Sequence, residues 1–411
     1  MPPRDPAVPH TRRRPSERAL VVLIGLYLML QAVSTDLYLA SLPGLARTFA
    51  VPAATVQLTL AAFVLAFGTM QLVLGPVSDR YGRYPVLVGG LVLYTLASVA
   101  AALAPTIDFL IGARVGQGVG CCAVVVAARA VVRDCYDPAD GARILARALS
   151  ILALGPLVGP VLGSALEVRF GFRGAFVVLT LISSALLIAT LRYLSETHVR
   201  PDRGALRPPE IASRYLAVLR STPFRVYTLV GAGSYAALFA FISGSPFVLI
   251  DVLGVPTGLF GFCFAFCVSG YLAGTFACRR LLARHGLAGA VRRGAVLSLA
   301  SGLALLTLML AGIHHWVAVL LPTAGVFAAH GINLPCSQAG SAAPFPRQAG
   351  AAAGMFGFLM MAVAALVGAS IGASHNGTVY PMTLTIAGCA VVTFLAAWMG
   401  LGRGSRAARP A

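Results

Sequence analysis

Apolar residues run through the chain in blocks of about twenty, separated by short polar or Gly/Pro-rich breaks, and they do not alternate with polar ones. A transmembrane helix needs about 20 such residues, whereas a membrane strand needs about half as many in alternation. The blocks predict helical spans at roughly 19–41, 54–76, 85–104, 107–130, 144–166 and 173–193. Six more follow at about 225–250, 257–279, 292–312, 316–338, 350–372 and 380–400. The longest polar break, 195–223, divides them six and six and reads as a cytoplasmic linker. The predicted plan is therefore an N-tail 1–18, a six-helix bundle 19–194, the linker, a second bundle 224–401, and a C-tail 402–411. The fold class is an all-α integral membrane protein of twelve transmembrane helices in two pseudo-symmetric bundles.

Composition narrows this further. Of 411 residues, 58% are hydrophobic and only 11% charged. A soluble surface uses roughly 25% charged residues, so soluble enzymes and nucleic-acid-binding modules are disfavoured despite a net charge of +18. All 31 basic residues are Arg, and they cluster at every second inter-helix segment. Clusters occur at 4–18, 192–225, 279–293 and 403–409. The positive-inside rule places these segments, and both termini, in the cytoplasm. Only Arg47, Arg169 and Arg173 fall outside, and only Arg114 lies deep within a span. The charge excess is a topology signal, with no nucleic-acid partner implied. The run from Ala19 to Leu42 is too long for the apolar part of a secretory signal, so it reads as a retained first span. The eight Cys form no CxxC pair and mostly sit in apolar segments, which predicts small buried hydrophobes, no metal and no cofactor.

With so few ionisable residues in the spans, the exceptions carry the chemistry, because burying one in a membrane is costly. Asp36 on span one lies about 8 Å below the outer surface at 1.5 Å per residue, and Arg114 on span four about 10 Å below it. Equal depth permits contact, either as a proton-coupling site or as a static salt bridge, and the remaining alternative is no contact at all. Gly25, Met29, Ala32 and Asp36 form one helical row suited to close packing. Tyr27, Gln31, Ser34 and Tyr38 form another, suited to a cavity wall. Gln57, Gln117 and Tyr235 join Tyr27, Gln31 and Tyr38 as candidate substrate contacts. A tight turn is predicted at Gly75-Pro-Val-Ser-Asp79-Arg80-Tyr-Gly82-Arg83-Tyr84, with charges able to latch the cytoplasmic mouth between the two halves. Gly274-Thr-Phe-Ala-Cys278-Arg279 echoes its start after the eighth span, consistent with a parallel internal repeat.

That loop resembles the major facilitator superfamily signature Gly-x-x-x-Asp-Arg-x-Gly-Arg-Arg/Lys, matched at Gly75, Asp79, Arg80, Gly82 and Arg83, with Tyr84 replacing the last basic residue. Arg114-Val-Gly-Gln117-Gly118-Val-Gly120 looks like the family's span-four motif, whose Arg is implicated in proton coupling. Gly155-Pro156-Leu-Val-Gly159-Pro160-Val-Leu-Gly163-Ser164 looks like its span-five antiporter motif, with Ser164 departing from a usual Gly. Gly and Pro there would kink the helix and pack it at the seam between halves. Ser34-Thr35-Asp36-Leu-Tyr38 and Phe241-Ile-Ser-Gly-Ser-Pro246-Phe are similar to Bcr/CflA-type drug-resistance transporters. The resemblance implies an inner-membrane drug/proton antiporter working as a monomer by alternating access. It would be powered by the proton gradient without a cofactor, and its substrates would be small and amphipathic. A proton-coupled metabolite transporter, exporting or importing, is the alternative. A membrane-embedded enzyme is disfavoured, since the remaining acids sit at span ends or in loops.

Overall fold

The structure is a computed structural model that describes residues 16–198 and 207–401. The tails expected at 1–18 and 402–411, with their arginines, lie almost wholly outside the described residues, as does 199–206 of the linker. The described residues form helices and helical turns, without strands. Span one comprises α1 (Glu17–Asp36), a tight turn Leu39–Ser41 and α2 (Leu42–Phe49). Then come α3 (Ala53–Tyr81), α4 (Arg83–Ala102) and α5 (Ile107–Cys135). Span five is α6 (Pro138–Leu152) followed by α7 (Gly155–Phe170), and span six is α8 (Phe172–Tyr193). After α9 (Pro208–Arg220) come α10 (Thr222–Pro246), α11 (Thr257–Leu310), α12 (Trp316–Ala342), α13 (Ala349–Ala373) and α14 (Tyr380–Leu401).

Local chemistry sets the ends. Ser16 accepts a hydrogen bond from the Ala19 amide and Thr106 from the Phe109 amide, capping α1 and α5. Glu17 and Asp108 place negative charge at those N-termini, where the helix dipole favours it. Among the described residues, eleven helices are long and apolar enough to cross a membrane. The predicted eighth and ninth spans are one of these, α11, rather than two. A straight helix of 54 residues would reach about 81 Å, far beyond the ~30 Å hydrocarbon core. Gly286, at φ 64°, breaks it and lets the two arms fold back. Cutting there yields twelve spans.

Two predictions about connections are corrected. The 75–84 segment is not a loop: α3 continues through Tyr81 and the turn is Gly82 alone, at φ 99°. Gly75 is helical, and a Cβ there would meet nothing within 4 Å, so it does not make the turn. The linker is not all irregular either, because 208–220 forms α9. Its apolar Ile211, Tyr215 and Val218 recur at helical spacing, too briefly for a hydropathy window to register.

The helices pack as two bundles. In the first, α5 lies against α1, α3 and α4, and α8 against α4. In the second, α10 and α11 pack on α12 and α14. Two long seams join the bundles, α3 with α13 and α7 with α11. Six of the eight Cys are buried, Cys389 is partly so and Cys135 is exposed.

Candidate transport site

The first α1 row does what small residues predict. A Cβ on Gly25 would press on Ile151 of α6, and Gly155 faces Met29 and Ala32. Gly159 lies so close that its Cβ would stand 3.2 Å from that of Asp36, and Gly163 abuts the Leu37 carbonyl. The span-five glycines thus pack α7 onto α1, inside the first bundle. The seam between halves is made by their neighbour: Gly261 of α11 sits against the backbone of Pro160 and Val161. Span five is interrupted at residues 153–154, just before Gly155 and Pro156 begin α7. Ser164 is buried with its hydroxyl unpartnered.

The second row does not line a cavity. Tyr27 shares a 2.6 Å hydrogen bond with Thr190, Ser34 one of 2.5 Å with Tyr94, and Tyr38 one of 3.1 Å with Thr59. These bonds tie α1 to α8, α4 and α3. Gln31 is half-buried.

Asp36 and Arg114 do not form the expected pair. Arg114, fully buried, points toward α3: its Nε donates to the Thr59 carbonyl (3.3 Å) and its Nη1 to Gln117 Oε1 (2.7 Å). The guanidinium also lies 4.5 Å from the Tyr38 ring centroid and 4.4 Å from that of Phe63. Two aromatic faces and two acceptors replace the carboxylate as its counter-environment. Gln117 is in turn held, donating through Nε2 to Ser98 Oγ at 2.7 Å. Asp36 lies on the other side of α1, 5% exposed, accepting only from Thr35 Oγ1 at 3.1 Å. It has no ionic partner among the described residues.

At the end of the bundles that carries Asp79 and Arg83, the motif charges act within the first bundle and not as a latch between halves. Arg83 binds Asp79 at 2.6 Å and Asp134 of α5 at 2.8 Å, and donates to Ser78 Oγ. Glu196 accepts from the Arg83 and Tyr84 amides at 3.0 and 3.2 Å, capping α4. Arg80 lies by the Tyr81 ring without an ion pair. Beyond these residues a cavity of about 560 Å³ opens between α3, α5, α9 and α13. Tyr215 of α9 donates to the Leu72 carbonyl at its edge (2.8 Å), and partial burial raises its pKa, so it stays protonated.

The opposite end of the bundles is closed. The Leu39–Ser41 turn rests on α10 and α11, and Arg47 reaches Asp251 at 3.4 Å across the halves. Deeper, Gln57 Oε1 accepts from Ser243 of α10 at 2.8 Å, while its Nε2 is unpartnered. Tyr235 is half-buried, its ring centroid 5.5 Å from that of His330. His330 is 2% exposed on α12 and bonded to Ser234. It escaped the sequence reading although it is an ionisable residue in mid-span, the same signal that singled out Asp36. Asn333, one turn on, has neither side-chain polar atom satisfied. The geometry is a two-bundle protein, closed at the Arg47–Asp251 end and open at the Asp79–Arg83 end, with a buried carboxylate on span one against α7.

Comparison with known proteins agrees with this architecture. The chain is 27% identical over 381 residues to a bicyclomycin resistance protein homolog of Haemophilus influenzae, covering 92% of this chain and 94% of that one. It is 34% identical over 253 residues to a chloramphenicol resistance protein of Pseudomonas aeruginosa, covering 61% and 59%. Among solved structures, the nucleoside transporter NupG superposes with a TM-score of 0.71 at 15% identity, covering 93% of this chain and 99% of that one. Residues 24–369 match the Major Facilitator Superfamily. With its two helical bundles meeting at a seam and its match across most of the chain, this protein belongs to the Major Facilitator Superfamily and is a secondary transporter, not an enzyme.

Proposed function

We propose that this transporter exports drugs or similar small amphipathic molecules across the cytoplasmic membrane in exchange for protons, with both termini in the cytoplasm. The observation that supports it best is Asp36, a buried carboxylate without a cation partner at the α1–α7 seam. Ionised, it requires water or a substrate group as solvation. Protonated, it is neutral and tolerates the tight packing against Gly159. Proton binding therefore favours the packing of span one on α7, and proton loss loosens it. Because α7 also carries the contact with Gly261 of α11, the change reaches the seam between the halves, which is what alternating access needs. The cavity lies between the halves of one chain, so a monomer suffices. Relatives named as a bicyclomycin resistance protein homolog and a chloramphenicol resistance protein support export over uptake.

The test is uptake of a dye panel into inverted vesicles whose lumen is more acidic than the bath. Wild-type transport should follow the gradient, and Asp36→Asn should retain exchange while losing the gradient's drive. Undiminished gradient-driven transport by Asp36→Asn would remove Asp36 as the proton site.

A further inference from the structure

The cytoplasmic cavity is charged in a way that the positive-inside rule alone does not require. Arg83 on its wall is matched by Asp79 and Asp134, and Arg214 of α9 has Glu210 at 3.8 Å. Arg129 and Arg133 also line it, yet no hydrogen bond or ion pair ties either of them to any described residue. They stand four apart on α5, so they share a face, and like charges at that spacing repel. Topology calls for cytoplasmic arginines in loops or facing lipid headgroups. These two point instead into the gap between the halves.

The opposite wall leaves space for a ligand. Gly350, Ala353 and Gly354 of α13 present almost no side chain, and a Cβ on Gly350 would come no nearer Arg133 Nη1 than 4.0 Å. Gln71 and Tyr215 add neutral hydrogen-bonding groups to the same wall. The volume, about 560 Å³, lies in the range that holds a drug-sized molecule. Planar guanidinium forks match the two oxygens of a carboxylate, phosphate or sulfonate.

We propose that Arg129 and Arg133 form an oxyanion site in the cytoplasmic vestibule, so that amphipathic anions are among the molecules this transporter takes up from the cytoplasm. Its role as an entrance rests on the transport reading above; the binding does not. An anionic lipid headgroup offers the same chemistry, and the experiment separates the two sources.

The full chain, carrying Cys135→Ser and Ala353→Cys, is reconstituted in phosphatidylcholine nanodiscs, and labelling of the introduced thiol by N-ethylmaleimide is timed. Phenylphosphonate should slow labelling at least fivefold and saturably, benzamidine should not, and Arg129→Gln/Arg133→Gln should abolish the protection. Discs containing phosphatidylglycerol, without phenylphosphonate, should give the same Arg-dependent protection if the headgroup is the occupant. Retained labelling at a lipid-facing control thiol shows that the variant is folded. On that variant, the rate ratio of sulfonate- to ammonium-bearing thiosulfonate reagents should fall about tenfold, as two nearby charges in screened water imply. Protection by neither oxyanion, or protection unchanged in the double variant, would overturn the site. Labelling needs no proton gradient, so intact protection with failed gradient-driven efflux would sink the transport reading alone.

Discussion

The separation of Asp36 from Arg114 can be measured by two double-mutant cycles, Asp36→Asn with Arg114→Gln, and Gln117→Leu with Arg114→Gln. A buried ion pair losing one partner costs about 3–5 kcal/mol, and its cycle would carry coupling of that order. Here Arg114 is instead held by a 2.7 Å bond to Gln117, the Thr59 carbonyl and two ring faces within 4.5 Å. A hydrogen bond from a charged donor contributes about 1.5–3 kcal/mol. The Gln117 cycle should therefore show coupling of about 1–3 kcal/mol, and the Asp36 cycle no more than about 0.5 kcal/mol. Because a membrane protein unfolds irreversibly, the readout is the inactivation half-life of purified protein at one temperature in one detergent. With about 1.4 kcal/mol per tenfold, the two cycles should differ by roughly tenfold in their non-additivity. Coupling in the Asp36 cycle equal to or above that in the Gln117 cycle would refute the assignment.

Two further outcomes follow from packing and capping. Gly163→Ala pushes a methyl into the Leu37 carbonyl of the neighbouring helix, and should cost about 1–3 kcal/mol and shorten the half-life. Gly75→Ala meets open space within a helix, so it should be neutral or stabilising by up to about 1 kcal/mol, although it lies in the more recognisable motif. Equal effects would show that the α1–α7 contact is not tight. Glu196→Gln weakens a charged cap on the Arg83 and Tyr84 amides. It should destabilise by about 0.5–2 kcal/mol, checked by the same half-life assay, and leave the apparent substrate affinity unaltered.

How far the sequence could be read differs from residue to residue. Helical spacing alone paired Gly25, Met29, Ala32 and Asp36 on one face, and that face is the one against span five. Spacing also grouped Tyr27, Gln31, Ser34 and Tyr38 as a cavity wall, but α1 ends at Asp36, and Tyr27, Ser34 and Tyr38 bond to three different helices. Thr190, Tyr94 and Thr59 come from three other spans, and no local pattern announces them. Arg114 shows the same limit: its depth was legible, its direction was not. A helix fixes a residue's height to within a turn, whereas rotation about the axis is set by the neighbours.

The sequence by itself therefore determined the class and the approximate spans, because the bilayer imposes a length on every apolar run. It also marked Asp36 and Arg114 as costly to bury. Only the tertiary structure decided the partners of Arg114, joined the halves at one end through Arg47 and Asp251, and turned the Asp79–Arg83 charges inward on their own bundle. It also left Arg129 and Arg133 facing an open vestibule. Those outcomes depend on which helices meet across a seam, and a contact between residues far apart in the chain leaves no trace in the order of the residues on either side.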